Sequence, residues 1–114
     1  MAINFNYNEI AKLTFPKLPV KNWIKYLIQQ NGLKLGSVSY IFCDDSYILQ
    51  VNKEYLNHDY FTDIITFNYN DDRIVSGDLF ISVDTVKTNA ETYKVTFEQE
   101  LYRVMIHGVL HLIG

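Results

Sequence analysis

Two histidines four residues apart, His107 and His111, have the type and spacing that most suggest chemistry in this chain. They lie in the apolar run HGVLHLIG at positions 107–114. On an α-helix, residues four apart are separated by about 40° around the axis and about 6 Å along it, so both rings project from one face. Such a pair can hold one divalent cation, as in the H-E-x-x-H helix of metalloproteases. The alternative is a pair of core or capping histidines at a helix end, where the helix dipole favours them.

Two glycines refine this prediction of a metal site. Gly108 stands where the metalloprotease helix has its Glu, so a general base must come from elsewhere. Gly114 lies three residues after His111, as in the longer pattern in which a Gly ends the helix and a third His follows three residues later. That third ligand would fall at position 117, outside these 114 residues. We therefore expect a single domain over residues 1–114 that lacks its C-terminal end and one metal ligand.

Alternating and helical apolar patterns predict the elements that position these histidines. The predicted strands are Ile3–Tyr7, Gly36–Cys43, Thr62–Tyr69 and Ile74–Ser82, and the predicted helices are Leu18–Gly32, Asp44–Asn57, Ser82–Tyr93 and Phe97–Leu112. Thr96 and Gln99 form the spacing of a capping box at the start of the last helix. Gly77, inside the fourth strand, indicates a bulge or a close backbone approach. The order β-α-β-α-β-β-α-α predicts an α+β fold, with helices packed on a mixed four-stranded sheet.

The overall charge and composition limit the partners. The net charge is −3, and the acids concentrate in residues 58–114, which hold nine acids against four basic residues. Since non-specific nucleic-acid binders are usually basic, an RNA partner would have to bind at a local positive charge, for example a bound cation. No run is long enough to span a bilayer, and the start does not resemble a signal peptide. The single Cys43 is expected to be a buried thiol, and the chain is expected to be cytoplasmic, with no membrane or DNA partner.

Three motifs together resemble the YbeY family of bacterial metal-dependent endoribonucleases, which mature ribosomal RNA. The family's H-G-x-L-H-L-x-G helix is matched at residues 107–114, its T-D-[VI]-L-S-F strand resembles TDIITF at 62–67, and its GD[IL]-x-I strand resembles GDLFIS at 77–82. The likeness covers the chain from about residue 50 to its end. It departs from the family at Leu56, where an Arg linked to phosphate contact is common, and at residues 58–61, where the usual Pro before Thr62 is missing.

The resemblance implies particular roles for these residues. It implies Zn²⁺ or a similar ion at His107 and His111, with a third protein ligand absent from this chain, and it points to Asp63 and Asp78 as carboxylates that orient a ligand or take a proton. Each of these carboxylates could instead have a purely structural role at a strand end or turn. His58, in the loop before the TDIITF strand, is a further candidate for contact with substrate or metal, although it could equally be an exposed residue without a role.

The function implied is a zinc-dependent endoribonuclease that hydrolyses phosphodiester bonds during ribosomal RNA maturation and quality control. Its partners would be ribosomal RNA or the ribosomal small subunit, and the chain without its third ligand is expected to have little activity. A non-catalytic module that assists ribosome assembly is the alternative, which the departure at Leu56 favours slightly. A peptidase is a third possibility, against which Gly108 argues because the in-helix base is missing.

Overall fold

The computed structural model describes residues 2–57 and 62–114, and within them the predicted order β-α-β-α-β-β-α-α is confirmed. The elements are β1 (Ala2–Tyr7), α1 (Lys17–Gln30), β2 (Lys34–Cys43), α2 (Asp45–Leu56), β3 (Ile64–Asn68), β4 (Ile74–Ser82), α3 (Val83–Tyr93) and α4 (Phe97–Ile113). No helix in this described part of the chain is long and apolar enough to cross a membrane.

The four strands form one mixed sheet, as predicted, and the structure shows their order in it to be β1-β2-β4-β3. Strands β1, β2 and β4 run parallel, whereas β3 pairs antiparallel with β4 as the other arm of a hairpin. Strand β3 is therefore an edge strand of the sheet formed by the described residues. The candidate residues of the TDIITF motif lie at this edge.

Helices cover both faces of the sheet, so the fold has three layers. On one face, α1 and α4 pack over the apolar side chains of the strands, and the alternating residues Val38, Tyr40 and Phe42 of β2 are fully buried there. The hydroxyl of Tyr40 donates to the carbonyl of Met105 in α4 at 3.0 Å, which ties the helix to the sheet. Buried apolar side chains of this kind stabilise the fold by about 1.5–3 kcal/mol each.

Helix α2 covers the opposite face with a smaller apolar cluster. Ile48 and Val51 of this helix pack there with Cys43 and Ile65. Cys43 is fully buried, as expected, and its Sγ donates to the carbonyl of Ile81 at 3.5 Å. Burial, aided by the nearby carboxylates of residues 44, 45 and 84, raises the pKa of the Cys43 thiol to about 12. The thiol therefore stays protonated and unreactive in the folded chain.

Local capping signals place the ends of α4 as expected. The backbone N–H of Gln99 donates to Thr96 Oγ1 at 3.1 Å, and the backbone N–H of Thr96 donates to Gln99 Oε1 at 2.9 Å, which is the predicted capping box. At the other end, Gly114 adopts a positive φ of 119°. The helix thus presents His107 and His111 in its last two turns.

Two large aromatic side chains of the helices are exposed. Trp23 of α1 is 47% exposed, and Tyr55 of α2 is 67% exposed. Tyr55 lies one turn beyond the buried Val51, where α2 approaches its end at Leu56 and borders an open cavity instead of the core. The helical period shows which side chains share the apolar face of a helix. How many of them are buried depends on how far the sheet extends beneath the helix.

Candidate metal centre

The structure brings His107 and His111 together on the outer side of α4. Their Nε2 atoms are 2.9 Å apart, and the ring centroids are 4.5 Å apart. Both side chains are exposed, whereas their neighbours Gly108, Val109 and Leu112 are buried. The two rings therefore face each other outside the core and are not packing residues of the helix.

The distance between the two ring nitrogens suits one shared cation. Zinc binds imidazole nitrogen at about 2.0–2.1 Å, so two ligands in a tetrahedral site lie about 3.3 Å apart. The observed 2.9 Å would have to open only slightly. Within residues 2–57 and 62–114, no cluster of three or more His, Cys, Asp or Glu side chains could hold a metal. The pair fits as two ligands, and the described residues offer no third.

Gly108 has a packing role that its position in the motif did not reveal. A Cβ atom on this residue would lie 2.3 Å from Leu79 Cδ2 and 2.6 Å from Ile64 Cδ1. Under the next turn, a Cβ on Gly77 would lie 2.6 Å from the backbone oxygen of Phe67 and 2.8 Å from Leu112 Cδ2. Of the two alternatives predicted for Gly77, a bulge or a close backbone approach, the structure thus shows a close backbone approach. Glycine at 108 lets α4 lie directly on β3 and β4, so a Glu at this position would meet the core instead of an ion.

Asp63 lies on the same side of the sheet as the histidine pair, beside an arginine that sequence analysis did not single out. Arg103 is four residues before His107 on α4, and its Nη2 lies 3.6 Å from Asp63 Oδ2. Its Nε and Nη2 also donate to the two carboxylate oxygens of Glu100 at 2.8 and 2.7 Å. Its position one turn before His107 on the same helix was the available signal in the sequence. The ion pair places Asp63, the residue before β3, beside Arg103 on the α4 side of the sheet, which is also the side of the two histidines.

Glu100 is almost completely buried, which makes its pairing with Arg103 important. The carboxylate is 2% exposed, while the guanidinium is 52% exposed. The hydrogen bonds from Arg103, opposed by burial and assisted by the Arg103 charge, lower the pKa of Glu100 below its ordinary value of 4.5. A bidentate, charge-assisted pair of this kind fixes the guanidinium in one orientation.

A cleft lies between the end of α2, the edge strand β3 and His111. Its volume is about 260 Å³, and Asn52, Leu56, Thr62, Ile64, Ile65, Thr66 and His111 line it. The cleft thus connects the TDIITF motif to the second histidine of the pair. Leu56, the departure from the family pattern, contributes an apolar wall there. A substrate reaching the histidines would pass along β3.

The structure does not bring Asp78 to the histidine pair. Along β4, Gly77 and Leu79 face α4, so Asp78 and its neighbour Phe80 face α2 on the other side of the sheet. Asp78 accepts a hydrogen bond from Tyr69; burial, the charge of Asp78 and this hydrogen bond together raise the pKa of the Tyr69 hydroxyl. The role expected of Asp78 beside a metal ligand stays a prediction that this placement does not support.

The third histidine, His58, lies outside the described residues, so its expected role stays a prediction from the sequence. The same is true of residues 59–61, which complete the loop before Thr62.

Comparison with known proteins relates the whole chain to one family. The sequence model described as Endoribonuclease YbeY matches residues 4–114. A protein of that name from Parabacteroides distasonis is 52% identical over 114 residues, which are all of this chain and 80% of that protein. The protein of the same name from Bacteroides thetaiotaomicron is 47% identical over the same residues, with 83% of its length covered.

A solved structure supports the fold. The solution structure of a Thermotoga maritima protein superposes with a TM-score of 0.65, covering 99% of this chain and 73% of the other, at 24% sequence identity. At this level of identity the similarity concerns the fold alone. The α+β architecture with its mixed four-stranded sheet is therefore confirmed independently of the motifs.

Proposed function

The chain belongs to the YbeY endoribonuclease family, and from this premise we propose that it is a metal-dependent endoribonuclease acting on ribosomal RNA. The observation that carries the proposal is the pair of exposed, facing imidazoles of His107 and His111, at the end of a cleft along the edge strand β3. We propose zinc as the ion, with a third protein ligand outside the described residues. His58 is a candidate for that ligand on sequence grounds.

A bound divalent ion would supply Lewis-acid polarisation of a phosphodiester and would acidify an attacking water. His107 and His111 hold it through their Nε2 atoms. Nε and Nη2 of Arg103 donate to Glu100. The remaining nitrogen, Nη1, can donate to a phosphate oxygen at a position one turn before the two histidines. In this role Arg103 provides the positive charge that Leu56 does not. Asp63, held by Arg103, is the carboxylate on this side of the sheet that can accept a proton.

A basic edge supports binding of RNA by a chain whose net charge is negative. The part of the chain up to the end of β2 carries five lysines and one acid, Glu9. Lys17, Lys21 and Lys25 recur every four residues on α1, and the first two border a cavity of about 470 Å³ beside β1 together with Lys12. Among the residues described, none of these lysines forms an ion pair. Unpaired lysines on one surface attract a polyanion.

The finer parts of the proposal concern the cellular role. We propose ribosomal RNA precursors as the substrate, the ribosomal small subunit as the partner and the cytoplasm as the location, which is what membership in the family leads one to expect.

The test is cleavage of a ribosomal RNA precursor fragment by the purified chain, with zinc added and with a chelator. We expect only weak cleavage by this chain, because the described residues supply two metal ligands and no third. The chelator should abolish this cleavage, and His107→Ala and His111→Ala should each reduce it at least a hundredfold (a loss of about 3 kcal/mol or more), because catalysis depends on the ion. Leu110→Ala, at an exposed position of the same helix turn, is the matched control and should cleave as the parent does.

Two results would contradict the proposal. Cleavage that neither the chelator nor the histidine substitutions reduce would exclude the pair as the reactive centre. Tight, chelator-independent binding of the RNA without any cleavage would instead assign the chain to ribosome assembly as a binding module.

A further inference from the structure

A second cavity, of about 330 Å³, lies on the α2 face of the sheet and takes no part in the reaction proposed above. Its walls include five aromatic rings and one carboxylate: Tyr47, Tyr55, Phe67, Tyr69, Phe80 and Asp78. Tyr47, Phe67 and Phe80 pack against the small apolar cluster under α2, whereas Tyr55 and Tyr69 are exposed. An open pocket that contains a charged group thus lies on this cluster, and such a combination of aromatic rings and one polar group is typical of a ligand site.

The rings of the pocket pack against one another edge to face, and two of them are also more than half exposed. Phe67 is nearly perpendicular to both of its neighbours, at 5.9 Å and 85° from Tyr55 and at 5.7 Å and 85° from Phe80. Tyr55 is 67% exposed and Tyr69 is 58% exposed. Exposed aromatic surface concentrated at one place marks an interaction site. Proteins that bind single-stranded RNA stack unpaired bases on such rings.

This aromatic pocket adjoins the catalytic cleft. Consecutive residues of α2, Tyr55 and Leu56, line the pocket and the cleft respectively. On β3, Ile65 lines the cleft and Phe67 lines the pocket, and these two residues lie on the same strand face about 7 Å apart. That separation is close to one nucleotide step of an extended strand. An RNA bound along β3 can therefore place a base next to the cleft in this pocket.

Asp78 determines which base fits best. Its carboxylate offers only hydrogen-bond acceptors, about four lone-pair sites on two oxygens, of which the Tyr69 hydroxyl uses one. Guanine alone presents two adjacent donors, N1–H and N2–H, on its Watson–Crick edge. Adenine and cytosine place an acceptor beside their amino group, and uracil has acceptors on both sides of N3–H, so each of them would set a lone pair against a carboxylate oxygen.

We propose that the aromatic pocket binds a guanine base of the RNA substrate, one nucleotide from the catalytic cleft. In this arrangement the base stacks on Tyr55 and donates N1–H and N2–H to the two oxygens of Asp78. The assignment rests on the proposed function, since it takes RNA as the substrate. It gives Asp78 a role in recognition, on the face of the sheet where the structure places it.

The experiment measures binding of a fluorescent ten-nucleotide oligouridylate with one central guanosine, in EDTA so that metal-dependent cleavage cannot occur. A second oligonucleotide carries inosine, which lacks the N2 amino group, at the same position. Loss of one hydrogen bond to a charged acceptor should weaken binding about tenfold or more. In Asp78→Asn, where an amide N–H₂ replaces one acceptor, this ratio of guanosine to inosine affinity should fall to about one.

Matched controls separate recognition from general effects. Asp71→Asn removes the same charge from the exposed β3–β4 loop and should keep the guanosine preference. Tyr55→Ala should weaken binding of both oligonucleotides by about tenfold through lost stacking, whereas Tyr93→Ala, which removes an equally exposed ring at the end of α3, should not.

Equal affinity of the parent chain for guanosine and inosine would overturn the proposal, and so would an unchanged preference in Asp78→Asn. Displacement of the RNA by tetramethylammonium, with no base preference, would instead show that the aromatic rings and the carboxylate receive a cationic partner. The result for the pocket is independent of the cleavage test. If the chain cleaves RNA in a metal-dependent way but shows no preference for guanosine, only the assignment of the pocket is wrong. If it prefers guanosine but does not cleave RNA, only the proposed reaction is wrong.

Discussion

The Nε2 atoms of His107 and His111 lie 2.9 Å apart on the exposed face of α4. The helix itself produces this proximity, because the two residues are one turn apart, while the burial of the intervening Gly108 and Val109 turns both rings outward. Two imidazoles in this position can supply two of the four ligands of a tetrahedral metal site.

Zinc binding by the chain should therefore depend on both rings. Removing either one in His107→Ala or His111→Ala leaves a single imidazole and should weaken zinc binding at least tenfold, as measured by competition with a chromophoric chelator. His58→Ala tests the third candidate: weaker zinc binding in this variant would support it as a ligand, and unchanged binding would remove it. Leu110→Ala is the control on the same helix turn. Zinc affinity unaffected by both alanine substitutions on α4 would contradict the site.

Gly108→Ala should destabilise the chain although alanine favours helices. The added Cβ would meet the buried side chains of Leu79 and Ile64 at 2.3 and 2.6 Å. Overpacking costs about 1–3 kcal/mol, and the better helix propensity of alanine returns up to about 1 kcal/mol. We expect the free energy of unfolding in urea to fall by about 1 kcal/mol.

A second substitution tests the cause of this loss. In a double-mutant cycle, Leu79→Val removes the atoms that the new Cβ would meet, so the loss from Gly108→Ala should be smaller in that background. Strictly additive effects would show that helix α4 accommodates the methyl group without contact to Leu79.

Arg103→Gln should destabilise the chain by removing the charge that compensates a buried carboxylate. Glu100 is 2% exposed and receives two hydrogen bonds from the guanidinium at 2.7–2.8 Å. Leaving a buried group of this kind unpaired costs about 1–3 kcal/mol, and the half-exposed position of Arg103 allows water to replace part of the interaction. Urea unfolding measures the change.

The control for this prediction is Arg73→Gln, which removes an exposed arginine from the β3–β4 loop and should change stability by less than about 0.5 kcal/mol. Adding Glu100→Gln to Arg103→Gln should recover part of the loss, because the neutral amide is less costly to bury. A variant at Arg103 as stable as the one at Arg73 would contradict the importance of the pair.

The stability of the chain should depend on pH through Glu100. Hydrogen bonds from Arg103 lower the pKa of this carboxyl below its ordinary value of 4.5 in the folded chain. A group with a lowered folded pKa stabilises the fold above its unfolded pKa, and the contribution disappears as the pH falls through the folded value. The free energy of unfolding should therefore decrease below about pH 4.5 more steeply in the parent chain than in Glu100→Gln.

Glu98→Gln supplies the comparison for this measurement, since it changes an exposed carboxylate in the first turn of the same helix. Its curve of stability against pH should follow that of the parent chain. If the parent and Glu100→Gln lost stability in parallel between pH 5 and 3, Glu100 would not be the titrating group.

The local parts of this protein could be predicted from sequence because their causes are local. The capping box at Thr96 depends on residues within one turn, and so does the spacing of the two histidines. The order of strands and helices follows from the spacing of apolar residues, which recur every two residues in a strand and every 3.6 in a helix. The close approach at Gly77 was also predicted, although its partner on α4, Leu112, was not. These features required no knowledge of which helix covers which face of the sheet.

Tertiary structure decided which candidate residues meet. Asp63 and Asp78 belong to equally clear motifs, yet Asp63 contacts Arg103 of α4, whereas Asp78 lines a cavity with residues of α2 on the other face of the sheet. The contact between Arg103 and Asp63 joins residues 40 positions apart, and the exposure of Tyr55 depends on where the sheet beneath α2 ends. Sequence alone determined the fold class and the histidine pair, since both follow from short-range patterns. The packing of helices on the two faces of the sheet decided which charged and aromatic side chains surround that pair and which form a separate pocket.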